Sequence, residues 1–296
     1  PVADSRGTAG PTPVTLLKGP VVAAPFVPAL DLVRDWSPYV NSDQALGDRV
    51  VNIVTSEGCL RRCTYCSEPQ TSGHSWLTYD VTQCVEAATE VLHRASASAL
   101  KLHDPNFLHD LDRAKRFARL MRASRPVHWA ATIHPADLLD LSDADLAELA
   151  DSGLCRVLVG LESPLPELAR LAGKAYDTSR IDELAAKLDR HGIAGMFTFI
   201  VGWPGAATNH YAATVEAAYK IRAIAPRHQA KIHFLEPWPG TPIYTLLMRS
   251  MPQAPKTLDE WALIDYYFAS LPGLHDPEWE QRIRQANEEL SPYVEA

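Results

Sequence analysis

From Arg49 onward the chain alternates short β-branched runs with longer segments of helical period, and no other feature constrains the fold as strongly. Residues 50–54, 100–103, 127–133, 155–160, 195–201 and 230–234 read as strands. Residues 79–96 place Val81, Cys84, Val85, Ala88 and Val91 on one helical face, with Asp80 near the start, and residues 110–123 form a basic amphipathic helix. Ser142 with Asp145 makes a shortened capping box for a helix ended by Gly153. Further helices span 179–191, closed by Gly192, and 209–224. Strands each followed by a helix or loop imply parallel pairing through right-handed crossovers, in a partial barrel or a doubly wound sheet. Both architectures gather their chemistry at the C-terminal ends of strands. Here those ends carry three cysteines, HDPN, GLES, GWPG and EPWPGTP.

At 296 residues and 46% hydrophobic content, the chain can bury one α/β core of barrel size. A net charge of −8 with no Lys/Arg cluster argues against a nucleic-acid partner. The sequence has no apolar run of membrane length and no signal peptide, so no membrane partner and a cytoplasmic location are expected. Five cysteines, three of them packed into one loop, do not resemble a secreted disulfide framework. The chain begins at Pro1 without a Met, and residues 1–48 are proline-rich and weakly periodic, as a linker from an upstream domain would be. The expected division is 1–48 linker, 49–244 barrel and 245–296 helical C-terminal extension, the last holding Trp261, Tyr266, Tyr267, Phe268 and Trp279.

Cys59, Cys63 and Cys66 stand at i, i+4 and i+7 in the loop after the first strand. A compact loop of thiolates can wrap three corners of a [4Fe-4S] cubane, leaving one iron free for a small chelating ligand. Arg61 and Arg62 would offset the cluster's negative charge. The alternative is a structural zinc on the same cysteines with His74 as fourth ligand. Cys84 and Cys155, on a helix face and at a strand start, read as packing residues. His103, His134 and His233 fall at or near strand ends and read as structural, as do the aromatics Trp203, Trp238 and Tyr244.

The CxxxCxxC spacing with Tyr65 before the last cysteine resembles the hallmark of the radical S-adenosylmethionine (SAM) superfamily. VLVGLES with Leu168 and Lys174, FTFIVGWPG and FLEPWPGTPIY are similar to the family's fourth, fifth and sixth strand segments. These forms resemble the subgroup of cobalamin-dependent C-methyltransferases, in which a connector like PFVPALDLVRDW follows a cobalamin-binding domain. The resemblance implies an α/β fold, a partial (β/α)6 TIM-type barrel of the radical SAM kind, with the cluster at its top and SAM chelating the free iron through its amino and carboxylate groups. It places adenine by the backbone around Tyr65 and beside Gly202, the methionine amino group at residues 103–106, and the ribose or methionyl part at Glu162 and Ser163. HDPN stands where the family usually carries Gly-Gly-Glu, and either Asp104 or Asn106 could accept the amino group. Lys174 could pair with the methionine carboxylate or be solvated.

The activity so implied is reductive cleavage or demethylation of SAM, with an electron donor as partner and cobalamin on a domain outside this chain. The substrate expected is a small or peptide-linked natural product. A cobalamin-independent radical enzyme performing oxidation, cyclisation or rearrangement is the alternative within the family, and the zinc module the alternative outside it. No residue is singled out as a catalytic acid or base.

Overall fold

The computed structural model describes residues 20–24, 28–248, 255, 257–262 and 276–291. Its strands are β1 (Pro20–Ala24), β2 (Asn41–Asp43), β3 (Gly47–Ile53), β4 (Ser56–Gly58), β5 (Trp76–Tyr79), β6 (Ala99–Leu102), β7 (His128–Thr132), β8 (Leu154–Glu162), β9 (Ala194–Val201) and β10 (Gln229–Phe234). The α-helices are α1 (Glu68–Thr71), α2 (Val81–Arg94), α3 (Leu111–Ser124), α4 (Pro135–Asp140), α5 (Asp143–Asp151), α6 (Pro166–Leu171), α7 (Ile181–Arg190), α8 (Asn209–Ile224), α9 (Pro242–Met248), α10 (Leu258–Ala262) and α11 (Pro277–Leu290).

The main sheet runs β10-β9-β8-β7-β6-β3-β2, with every pair from β3 to β10 parallel and β2 antiparallel on the edge. Its parallel strands follow one another in chain order without reversal. A doubly wound sheet would reverse at a switch point, so the curled sheet is a partial barrel of six parallel strands. Strand β8 shows why the runs are apolar: Val157, Val159 and Leu161 are fully buried on the helix-facing side. The residues between them, Arg156, Leu158, Gly160 and Glu162, alternate to the barrel interior.

The outer layer is fixed by local chemistry. Asp80 accepts from the Gln83 N–H at 3.0 Å, Asp110 from Arg113 at 2.9 Å and the Ser142 hydroxyl from Asp145 at 3.0 Å, each satisfying an unpaired donor at a helix start. Helix α2 begins at Val81 rather than 79 because Tyr79 is the last residue of β5. Phe107, Phe117 and Trp129 pack edge to face at 5.5–6.1 Å between α3 and the sheet. Helix α11 covers the exposed edge of β10, where the Asn287 amide accepts from the Ile232 N–H and donates to its carbonyl, both at 2.8 Å. It thus stands in for a missing strand. Trp279 of α11 stacks on Tyr211 at 5.4 Å, and Trp261 lies in α10, while Tyr266, Tyr267 and Phe268 fall outside the described residues.

Part of the proline-rich stretch expected as an extended connector belongs to the sheets. β1 pairs parallel with β5 in a small sheet of order β1-β5-β4, and β2 pairs with β3. The turn after β2 closes the lower end of the barrel. Arg156 makes an ion pair with Asp43 and donates to Gln229 at 3.0 Å, and Gln229 bonds Gln44. The edge carrying β2 is thereby tied to β10 at the other edge.

Candidate active site at the top of the barrel

The cysteine loop leaves the end of β4, which the small sheet holds in place through the pairs Ser56–Thr78, Glu57–Leu77 and Gly58–Trp76. Gly58 sits at φ +81°, and a Cβ there would lie 2.3 Å from the Ser75 carbonyl. The far side of the loop is fastened to α6. The Thr64 N–H donates to Ala172 O at 3.0 Å and its hydroxyl to Leu171 O at 2.7 Å, while Gly173, at φ +75°, lies against the Arg62 carbonyl.

Cys59 and Cys63 are buried and Cys66 is partly so. All three line one cavity of about 240 Å³ beneath the loop, together with Tyr65, Asn106, Glu162 and Lys174. Burial pushes all three thiols up, Cys66 to about 11, against the opposing charge of Lys174. Iron bound there would reverse that preference by displacing the thiol proton.

Glu162 and Lys174, both expected from sequence, meet as a buried pair at 3.2 Å. Tyr65 donates its hydroxyl to the same carboxylate oxygen, Oε1, at 2.5 Å. Burial opposes the Lys174 ammonium most strongly of any one influence, but the charge and hydrogen bond of Glu162 together with the neighbouring Cys63 and Cys66 outweigh it, and the lysine pKa stays above its usual value. Burial and then the Glu162 charge push the Tyr65 phenol well up, so it remains a donor. Two backbone features make this possible. Glu162 has φ +64°, a left-handed conformation that a side chain this large adopts at a cost of about 1 kcal/mol or more. Gly160 supplies the room, since a Cβ there would lie 2.3 Å from Glu162 Oε1 and 3.2 Å from Lys174 Nζ. A glycine inside the run VLVGLE is the signal by which this close approach could have been anticipated.

Three other expected residues do not line the cavity. Asp104 accepts from the Thr55 N–H at 2.7 Å and from the Thr55 and Ser56 hydroxyls at 2.6 Å each, so its carboxylate pins the end of β3. Ser163, wholly buried, accepts from the Leu165 N–H at 3.1 Å and shapes the turn after β8. Gly202 donates its N–H to His210 Nε2 at 2.9 Å.

Asn106 does line the cavity, but its amide is engaged: Oδ1 accepts from the His134 N–H at 3.0 Å, and Nδ2 contacts Asp137 at 2.7 Å and His109 at 3.2 Å. Gly160 on the cavity wall, and His109 and Asp137 behind Asn106, are among the residues sequence reasoning missed. His134 caps α4 by accepting the Ala136 N–H at Nδ1, which leaves Nε2 protonated, buried on the cavity wall and without a partner among the described residues. Burial holds its pKa down to about 2, so the ring is neutral.

These residues fit a [4Fe-4S] cluster. The donor set is three thiols opening on one cavity, with Lys174 and the ion-paired Arg61 beside them to balance its charge. Among the described residues no three His, Cys, Asp or Glu side chains converge closely enough to hold a single metal ion. A zinc on these cysteines and His74, which is exposed, would need such convergence, whereas the corners of a cubane ligate separate irons.

Comparison with known proteins agrees with this chemistry. The family model described as the radical SAM superfamily matches residues 53–218, more than half of the chain. An uncharacterized methyltransferase of Pyrococcus horikoshii is 22% identical over 194 residues, covering 65% of this chain and 40% of the relative. The cytidylyl-2-hydroxyethylphosphonate methyltransferase of Streptomyces wedmorensis is 28% identical over 173 residues, covering 57% and 30%. The structure of the radical SAM methyltransferase TsrM from Kitasatospora setae, with cobalamin and a [4Fe-4S] cluster bound, superposes with a TM-score of 0.58 at 21% identity, covering 67% of this chain and 39% of that one. The chain thus spans less than half the length of each of these relatives. Its matched region contains the cysteine loop, Glu162 and Lys174, and the chain belongs to the radical SAM superfamily.

Proposed function

We propose that this chain is the catalytic barrel of a cobalamin-dependent radical SAM C-methyltransferase acting on a small or peptide-linked substrate. The observation that carries the reading is the single cavity onto which Cys59, Cys63 and Cys66 open together with Tyr65, Glu162 and Lys174. The three cysteines would hold a [4Fe-4S] cluster through three of its irons, with the fourth open to the amino and carboxylate groups of SAM. When bound, the cluster supplies the electron that activates the sulfonium.

The chain's own residues bind and orient. Glu162 Oε1 receives both Tyr65 and Lys174, leaving Oε2 with acceptor capacity for a ribose hydroxyl. Lys174, kept cationic in a buried place, offers its charge to a carboxylate. His134 Nε2–H is a fixed neutral donor on the same wall. Ile133, Leu158 and Ile200 line the cavity with apolar surface that excludes water.

The likeness in sequence to two methyltransferases supports methyl transfer as the outcome. In this reading cobalamin is bound by a domain beyond these residues, as the cobalamin in the TsrM structure suggests. The test is anaerobic reconstitution with iron and sulfide, followed by electron paramagnetic resonance with and without SAM, and then transfer of a labelled SAM methyl group to added cobalamin by the full-length gene product. A perturbed cluster signal and labelled cobalamin are expected. A folded chain that takes up zinc but no cluster would refute the family chemistry, and a SAM-responsive cluster with unlabelled cobalamin would refute methyl transfer.

A further inference from the structure

We propose that His109 sets the reduction potential of the cluster through an N–H···S hydrogen bond to Cys59, and that Asn106 and Asp137 hold the imidazole in the tautomer that makes this bond. The inference rests on Cys59 being a cluster ligand. His109 sits in the turn between β6 and α3, with Nε2 3.4 Å from Cys59 Sγ and Nδ1 3.2 Å from Asn106 Nδ2. Its ring packs edge to face on buried Trp76, with centroids 5.3 Å apart, so its direction is fixed by packing.

Which nitrogen carries the proton follows from the neighbours. The Asn106 amide has only one workable orientation. Its oxygen faces the His134 N–H at 3.0 Å and its nitrogen faces the Asp137 carboxylate at 2.7 Å, and a flipped amide would set oxygen against oxygen and N–H against N–H. Asn106 Nδ2 therefore has one hydrogen for Asp137 and one for His109 Nδ1. Nδ1 accepts, so Nε2 bears the proton and points it at the sulfur. The Leu60 N–H is also directed at Nε2 from 3.4 Å and competes for the same nitrogen. The shorter Asn106 bond at 3.2 Å, whose amide is oriented by both His134 and Asp137, decides the tautomer.

The ring of contacts closes on itself. Asp137 is ion-paired with Arg61, whose own backbone N–H lies 3.4 Å from Cys59 Sγ. Cys59 thus receives two N–H donors, one from its own loop and one delivered from the β6–α3 turn. Donors to a ligating sulfur stabilise the more negative, reduced cluster and raise its potential.

The measurement is the midpoint potential of the reconstituted chain without SAM, by titration monitored with electron paramagnetic resonance, in wild type, His109→Phe, His109→Gln and Asn106→Leu. Phenylalanine keeps the packing on Trp76 and removes the donor, so its midpoint should move negative. Glutamine restores an amide donor and should fall between the two. Asn106→Leu should also move the midpoint negative, but add nothing in the His109→Phe background. An unchanged midpoint in His109→Phe at full iron content overturns the proposal, as does an Asn106→Leu shift that persists without His109. Should His109→Phe assemble no cluster, Asn106→Leu and His109→Gln decide by the same readout. A wild-type chain that takes up no cluster instead overturns the ligand assignment on which the proposal stands.

Discussion

Strand β8 begins and ends in a buried ion pair, and the two pairs differ in what surrounds them. At its start Arg156 meets Asp43, with side chains 9% and 3% exposed; at its end Glu162 meets Lys174, at 5% and 8%. The lower pair is absorbed by neighbours, since Asp43 also accepts from the Ala45 and Leu46 N–H groups and Arg156 also donates to Gln229. The upper pair fronts a cavity, and it requires a left-handed Glu162 and a glycine at 160. Equal burial of equal charges therefore does not distinguish a brace from a binding site. Strain and open space do.

Substitutions at the two ends should fall on different observables. The largest expected effect is at the top: Cys63→Ala should abolish the visible sulfur-to-iron absorption after reconstitution with little change in thermal midpoint, and an intact cluster in that variant would contradict the ligand assignment. Next, Asp43→Ala leaves Arg156 buried and unpaired and should cost about 3–5 kcal/mol in denaturant unfolding, with the cluster spectrum unchanged. A loss under about 1 kcal/mol would show that the lower network does not brace the barrel.

Third, Gly160→Ala should weaken SAM binding about tenfold, or about 1.4 kcal/mol, by displacing Glu162 and Lys174, with stability nearly unchanged. Equal SAM affinity in that variant would mean the upper pair is also only a brace.

The smallest effect is in acid. Burial works to raise the Asp43 carboxyl, but the Arg156 hydrogen bond and charge outweigh it and hold the pKa below the ordinary 3.8. The carboxylate's contribution is therefore full above the ordinary value and lost as pH falls through the lowered one. Stability curves of wild type and Asp43→Asn should converge in that range, and parallel curves would deny the linkage.

Most of the barrel was legible in the sequence because each strand is an apolar run and each helix an amphipathic one, so residues 49–244 announce their periods. Strand β2 was not, because Asn41-Ser42-Asp43 has no alternation and pairs only by lying beside β3. Cys59, Cys63, Cys66, Glu162 and Lys174 were singled out from local motifs, and the structure places all five on one cavity. The amides and carboxylates that serve them were not, because their partners are distant in sequence: Asp137 is 76 residues from Arg61 and 31 from Asn106. Asp104 shows the converse. A carboxylate at a strand end suggested either a ligand contact or a helix-proximal cap; in the structure it bonds the backbone N–H of Thr55.

The clasp between the cysteine loop and α6 has a consequence for the order of folding. The Thr64–Leu171 bond closes a loop of 107 residues and the Tyr65–Glu162 bond one of 97. Contacts of such separation form late, after the intervening strands have paired. The near end of the cysteine loop is held by the local β4–β5 pairing, so the loop gains its second anchor only when α6 has docked on an assembled barrel.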